Sequence, residues 1–125
     1  DPTAVPLPKP YPIAGKYILD TDEQQVIQAQ IAAYNAVIAN VAGTFNLALV
    51  DMNGYLKLFK TGMVFDGVKF TTNFITGGLF STDGVHLNPR GNALTANYFI
   101  QTINAKYGCS IPQADITKFK GVIFP

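Results

Sequence analysis

Apolar residues recur every three or four positions over one long stretch of the chain: Ile27, Ile31, Tyr34, Ile38 and Val41. That spacing marks one face of an α-helix. Thr21-Asp-Glu-Gln24 precedes it, with a hydroxyl at the cap position, acids in the first turn and a Gln three residues on, the pattern of a capping box. The helix is therefore expected from about Asp22 to Ala42, with Gly43 as terminator. A second helix is expected where Asn88 caps and Pro89 takes the first helical position. Its apolar stripe reads Ala93, Ala96, Ile100, Ile103 and Tyr107, and it ends at Gly108.

Between the two helices the pattern changes. Phe45 to Val50 is a continuous apolar run that ends at Asp51. A strand apolar on both faces belongs in a covered parallel sheet, so the run predicts a buried strand. Asn53-Gly54 reads as a turn and Tyr55 to Lys60 as a short helix stopped by Gly62. Met63 to Phe70 reads as a β-hairpin, because Asp66-Gly67 suits the left-handed positions of a tight turn. Residues 71–80 form a loop or weak strand, and the tail from Cys109 carries no clear period beyond an extended end at 121–125. Long helix, buried strand, short helix, hairpin and closing helix together make an α/β fold. A lone strand cannot be a sheet, and its neighbours are not obvious in this chain.

Residues 1–20 carry proline at positions 2, 6, 8, 10 and 12. Each proline removes an amide donor and restrains the residue before it. This segment predicts an extended arm whose second half, with Ile13, Tyr17, Ile18 and Leu19, docks on something. Residues 21–125 are expected to form part of a single domain.

Composition narrows the functional classes. Apolar residues make up 48% of the chain and charged residues 14%, with a net charge of +1. The balance argues against a nucleic-acid partner. The thin charge shell suggests apolar surface meant for another chain segment or for self-association. No apolar run reaches the roughly 18 residues that a membrane span needs. One histidine and one cysteine are too few for a usual zinc site, and no cofactor motif occurs, since Gly77-Gly78 lacks the Lys-Ser/Thr of a phosphate loop.

The chemistry concentrates in Asp83-Gly-Val-His86-Leu-Asn-Pro-Arg-Gly91, which holds the one histidine. An Asp three residues before a His can accept a hydrogen bond from one ring nitrogen, fix the tautomer and leave the other nitrogen free to take a proton. Gly84 allows a tight fold between them, and the helix start at Asn88-Pro89 sets the position of the histidine. Asp83 and His86 are the candidate catalytic residues.

The stretch from Phe80 through Asp83, His86 and Gly91 to Ile100 resembles the last sequence block of the SGNH (GDSL-type) hydrolases. That block is Asp-x-x-His with a glycine five residues after the histidine, opening the final helix. Leu87 departs from the proline usual there. The element order before it also fits, over roughly residues 13–125, and is most similar to the bacterial cell-envelope lipase/esterase branch. The resemblance implies a flavodoxin-like, three-layer α/β/α serine ester hydrolase, secreted or in the cell envelope, acting on a lipid or acylated-sugar ester. It implies His86 as general base and Asp83 as its orienting acid. The family's Gly-Asp-Ser block and its oxyanion-hole Gly and Asn have no counterpart here. The two serines are Ser81, too near His86 in the approach loop and expected to bond local backbone, and Ser110. The chain thus reads as the C-terminal part of such an enzyme, inactive without a missing N-terminal half. The rival reading is a non-catalytic binding module with the same fold. Arg90 is expected to face solvent.

Overall fold

A computed structural model describes residues 13–122. It divides into two units, Asp1–Val41 and Ala42–Pro125. The described part is mixed: three α-helices and one small antiparallel sheet of two strands. The proline-rich stretch 1–12 and the end at 123–125 lie outside the described residues.

In the first unit, Gly15–Tyr17 forms a single 3-10 turn and helix α1 begins at Thr21, running to Thr44. The capping box sits one residue earlier than the sequence suggested. Asp20 Oδ1 accepts from the Glu23 amide at 2.9 Å, and Glu23 Oε2 accepts from the Asp20 amide at 3.0 Å. Two orphan donors are satisfied reciprocally, and the carboxylates face the positive helix end. Gln24 instead donates its side-chain amide to the Leu19 carbonyl. The stripe Ile27, Ile31, Tyr34, Ile38 and Val41 is exposed, as are Ile13, Tyr17, Ile18 and Leu19 in the arm.

The second unit opens on the end of α1, which is closed by Asn46 rather than Gly43. Asn46 takes φ 53, its amide bonds the Gly43 carbonyl at 3.2 Å, and the Leu47 amide reaches back to Ala42 at 2.8 Å. This is a Schellman closure in which asparagine tolerates the left-handed position. Lys106 Nζ bonds Asn46 Oδ1 at 2.6 Å and holds the cap.

The buried strand expected at Phe45–Asp51 does not form. Residues 47–50 pair with no strand, and Leu47 and Leu49 are exposed. The physical reason is a shortage of partners. The Leu47 amide is spent on the helix end and the Ala48 amide on the Tyr107 hydroxyl, at 3.0 Å. No parallel strand lies among the described residues. Asp51 caps helix α2 (Met52–Leu58) by accepting from the Gly54 amide at 2.8 Å, so Asn53-Gly54 is the first turn of a helix and not a free turn.

The hairpin forms as its sequence indicates. Strands β1 (Met63–Phe65) and β2 (Val68–Phe70) pair antiparallel, with Met63 opposite Phe70. Asp66 and Gly67 take φ 48 and 78, the left-handed pair of a two-residue hairpin turn. Helix α3 (Pro89–Tyr107) starts at Asn88 and stops at Gly108 with φ 63.

The core joins Tyr55 and Phe59 of α2, Phe70 of β2, Leu79, Ala93 and Leu94 of α3, and Ile116. Aromatic rings supply much of it. Tyr55 stacks on Tyr98 at 4.1 Å between centroids, and Phe59 meets the edge of Tyr55 at 5.2 Å. Burial, followed by the neighbouring Tyr98, pushes the Tyr55 hydroxyl above its ordinary range, and that hydroxyl donates to the Leu94 carbonyl. The buried face of α3 is turned from the expected stripe. Gly91, Ala93, Leu94 and Asn97 are buried, whereas Ala96 and Tyr107 are exposed. Asn97 belongs inside because its amide exchanges two bonds with the Ala114 backbone, at 2.8 and 2.7 Å. A stripe scored on apolar residues alone overlooks a glycine and an asparagine that face the core.

Candidate functional site

Residues 79–88 form a narrow loop whose two limbs face each other. The Asn88 amide bonds the Leu79 carbonyl at 3.0 Å, Phe80 bridges Leu87, and the Ser81 amide bonds the His86 carbonyl at 2.8 Å. These rungs share one register, so residues 82–85 are the tip and His86 sits on its shoulder. Gly84, at φ 73, makes the tip possible, and its amide bonds the Ser81 carbonyl at 3.1 Å.

Two residues fasten this loop to α3. Asn88 is buried, and its Oδ1 accepts from the Gly91 amide at 2.8 Å while its Nδ2 donates to the Gly78 carbonyl at 2.8 Å. One side chain therefore caps the helix and grips the approach to the loop. Gly91 lets the Leu79 backbone lie directly on the helix. A Cβ there would overlap the Leu79 carbonyl oxygen and come within 3.3 Å of the Leu87 Cβ.

The structure brings Asp83 and His86 together. Asp83 Oδ2 stands 2.7 Å from His86 Nδ1, and the two side chains are 51% and 82% exposed. The other carboxylate oxygen, Oδ1, accepts from the Ser81 hydroxyl at 2.6 Å and from the Val85 and His86 amides, each at 2.9 Å. One oxygen is thus anchored to the loop and the other is aimed at the ring. The Ser81 hydroxyl first, then the Val85 amide and the His86 contacts, hold the Asp83 carboxyl well below the usual carboxylate range. An ionised carboxylate only accepts, so the Nδ1 that faces it carries a proton, and in the neutral ring Nε2 then keeps its lone pair. The arrangement can take a proton at an exposed nitrogen and steady the imidazolium that results.

Ser81 was expected to bond local backbone. Its hydroxyl instead goes to Asp83, which gives it a place in the site that sequence reading missed. A serine two residues before an aspartate was the available signal. The same bond directs the hydroxyl proton to Asp83 and away from the imidazole. Arg90 does not simply face solvent, because its Nε donates to the Phe119 carbonyl at 3.1 Å and ties down the tail. Cys109 is exposed.

Phe74 was also missed. Its ring lies on Gly84, where an added Cβ would sit 2.8 Å from two ring carbons. The next residue, Ile75, takes φ 61, a left-handed conformation that costs a β-branched residue on the order of 1–3 kcal/mol. Flanking bonds hold it there, from the Thr71 amide to Gly77 at 2.8 Å and from the Gly77 amide to Asn73 at 2.9 Å.

Among the described residues, no group of three His, Cys, Asp or Glu side chains stands where it could hold a metal ion. No helix among them is long and apolar enough to cross a membrane. Comparison with protein-family models, curated proteins and solved structures finds no match.

Proposed function

We propose that this chain is the histidine-bearing, C-terminal part of a serine ester hydrolase of the SGNH (GDSL) type, with a three-layer α/β/α fold completed by polypeptide outside these residues. His86 is the general base that takes the proton of an attacking serine and returns it to the leaving alcohol. Asp83 orients the ring and stabilises the imidazolium. The serine and the oxyanion donors come from the missing half, which also supplies strands beside residues 47–50.

The observation that carries this reading is the 2.7 Å contact between Asp83 Oδ2 and His86 Nδ1, made by a ring that is 82% exposed. A histidine kept for structure would be expected to use both nitrogens inside the fold. Here one nitrogen is engaged and the other is offered outward. The exposed Leu47 and Leu49, and the apolar stripe of α1, agree with surface awaiting further protein.

The test is reconstitution. The chain is assayed with a short activated ester, alone and together with upstream polypeptide carrying a Gly-Asp-Ser block. No turnover is expected alone, because nucleophile and oxyanion stabilisation supply most of acyl-transfer catalysis. Turnover is expected in the combined protein and should vanish in His86→Ala. Turnover by the 125-residue chain alone that vanishes in His86→Ala would refute the shared site, as would a parent sequence with no Gly-Asp-Ser block.

A further inference from the structure

We propose that the cavity between α2, β1 and α3 is a binding site for a small uncharged phenol, with its ring among apolar side chains and its hydroxyl between Gln101 and Gln113. The site stands apart from the reading of His86, because no residue of the loop 79–88 lines this cavity.

The cavity measures about 260 Å³. Tyr55 and Leu58 of α2, Met63 and Phe65 of β1, and Leu94 and Tyr98 of α3 form its apolar lining. An apolar cavity of about 150 Å³ is enough to hold benzene, and sites for drug-sized ligands begin at roughly 300 Å³. The space therefore suits one ring with a small substituent.

Two walls are firm before any ligand arrives. Tyr55 and Leu94 are buried, and the Tyr55 hydroxyl is tied to the Leu94 carbonyl at 3.3 Å. Tyr55 and Tyr98 stack with their planes 3° apart, and Phe65 lies against Phe59 at 6.1 Å between centroids. Walls already packed in place lose little freedom when a ligand binds. Three aromatic rings and the Met63 sulfur favour an aromatic guest over a saturated one, because ring faces, ring edges and sulfur attract one another beyond their buried area.

The polar lining selects further. No charged side chain lines the cavity, so an ionised ligand would lose its hydration without gaining a partner. Asn97 lines it too, but its amide is engaged with both backbone groups of Ala114. Gln101 and Gln113 are less committed. One amide donates to the other across 3.3 Å, a long bond. Whichever way the two amides are turned, one carbonyl oxygen and one amino group are left over among the described residues. A hydroxyl donates and accepts at once, and so matches both.

The test is a nuclear magnetic resonance titration of the 125-residue chain with phenol, toluene, cyclohexanol and benzoate. Phenol should give saturable shifts at the Met63 methyl, the Leu94 methyls and the Tyr98 ring, with a dissociation constant on the order of 1 mM. Cyclohexanol, which keeps the hydroxyl and loses the aromatic ring, should bind roughly threefold to tenfold more weakly. Benzoate should not bind there. The double variant Gln101→Ala/Gln113→Ala should weaken phenol by roughly threefold to tenfold and leave toluene unchanged. Both glutamines are exposed, so this variant keeps the fold. The inference is overturned if phenol gives no saturable shift at these residues, if cyclohexanol or benzoate binds there as tightly as phenol, or if the double variant binds phenol as tightly as the parent. Ester turnover is not read, so this site and the hydrolase reading stand or fall separately.

Discussion

Replacing Asn88 is the most direct probe of what holds the candidate site in place. The side chain has two separable jobs. Its Oδ1 caps α3 at Gly91, and its Nδ2 bonds the Gly78 carbonyl at 2.8 Å and reaches the Phe80 carbonyl at 3.4 Å. The amide orientation follows from its partners, because the Gly91 amide can only donate and the two carbonyls can only accept. Loss of the cap costs about 1 kcal/mol. Loss of a buried bond that leaves a carbonyl unpaired costs about another 1–2 kcal/mol. Asn88→Ala should therefore destabilise the fold by about 2–3 kcal/mol, and Asn88→Ser, which keeps only the cap, by about half of that. Asn88→Asp is the decisive variant. It keeps the cap, even improving it at the helix end, but turns a carboxylate oxygen toward two carbonyls in a buried position. It should be at least as damaging as Asn88→Ala. Urea unfolding measures all three, and a loss of about 2 kcal/mol lowers the midpoint by roughly 1 M at a typical slope. An Asn88→Asp protein within about 0.5 kcal/mol of the parent would show that the Nδ2 bonds contribute nothing, and the account of how the loop is fastened would fail.

Gly91→Ala tests the close approach of the loop to α3. Alanine favours a helix by about 1 kcal/mol, but its Cβ would overlap the Leu79 carbonyl, so a net loss of about 1–3 kcal/mol is expected in thermal or urea unfolding. A stabilised Gly91→Ala protein would contradict the packing described at that contact. The order of the 81–86 loop should depend on pH through Asp83. Its carboxyl is lowered in the folded state, so the contribution is complete above about pH 4, the unfolded range, and is lost only as pH falls further through the lowered value. The Asp83 carboxyl resonance should thus keep its ionised position as pH falls past about 4, the ordinary carboxylate range, and move only further into acid. Ser81→Ala removes the first cause of that lowering and should bring the Asp83 titration, followed by carboxyl resonances, back toward the ordinary range.

Local signals placed much of this protein. The stop at Gly108, the start at Asn88-Pro89, the hairpin turn at Asp66-Gly67 and the pairing of Asp83 with His86 depend on residues within a few positions of one another. Backbone sterics and short hydrogen bonds act over that range, so one sequence window contains their cause. The failures over which surfaces are buried share the opposite property. The apolar run at 45–50 announces burial, yet a strand exists only where another strand lies alongside, and no window can supply one. The buried face of α3 turns on Asn97 meeting Ala114 and on Gly91 meeting Leu79, partners set by the fold. Phe74 reaches Gly84 across ten residues for the same reason. The sequence alone therefore determined where α3 begins and ends, where the hairpin turns, and that a carboxylate could aim an imidazole. The tertiary structure decided which faces are buried, that the imidazole is left open to solvent, and that the Phe74 ring lies on Gly84, because those outcomes depend on contacts between segments apart in the chain.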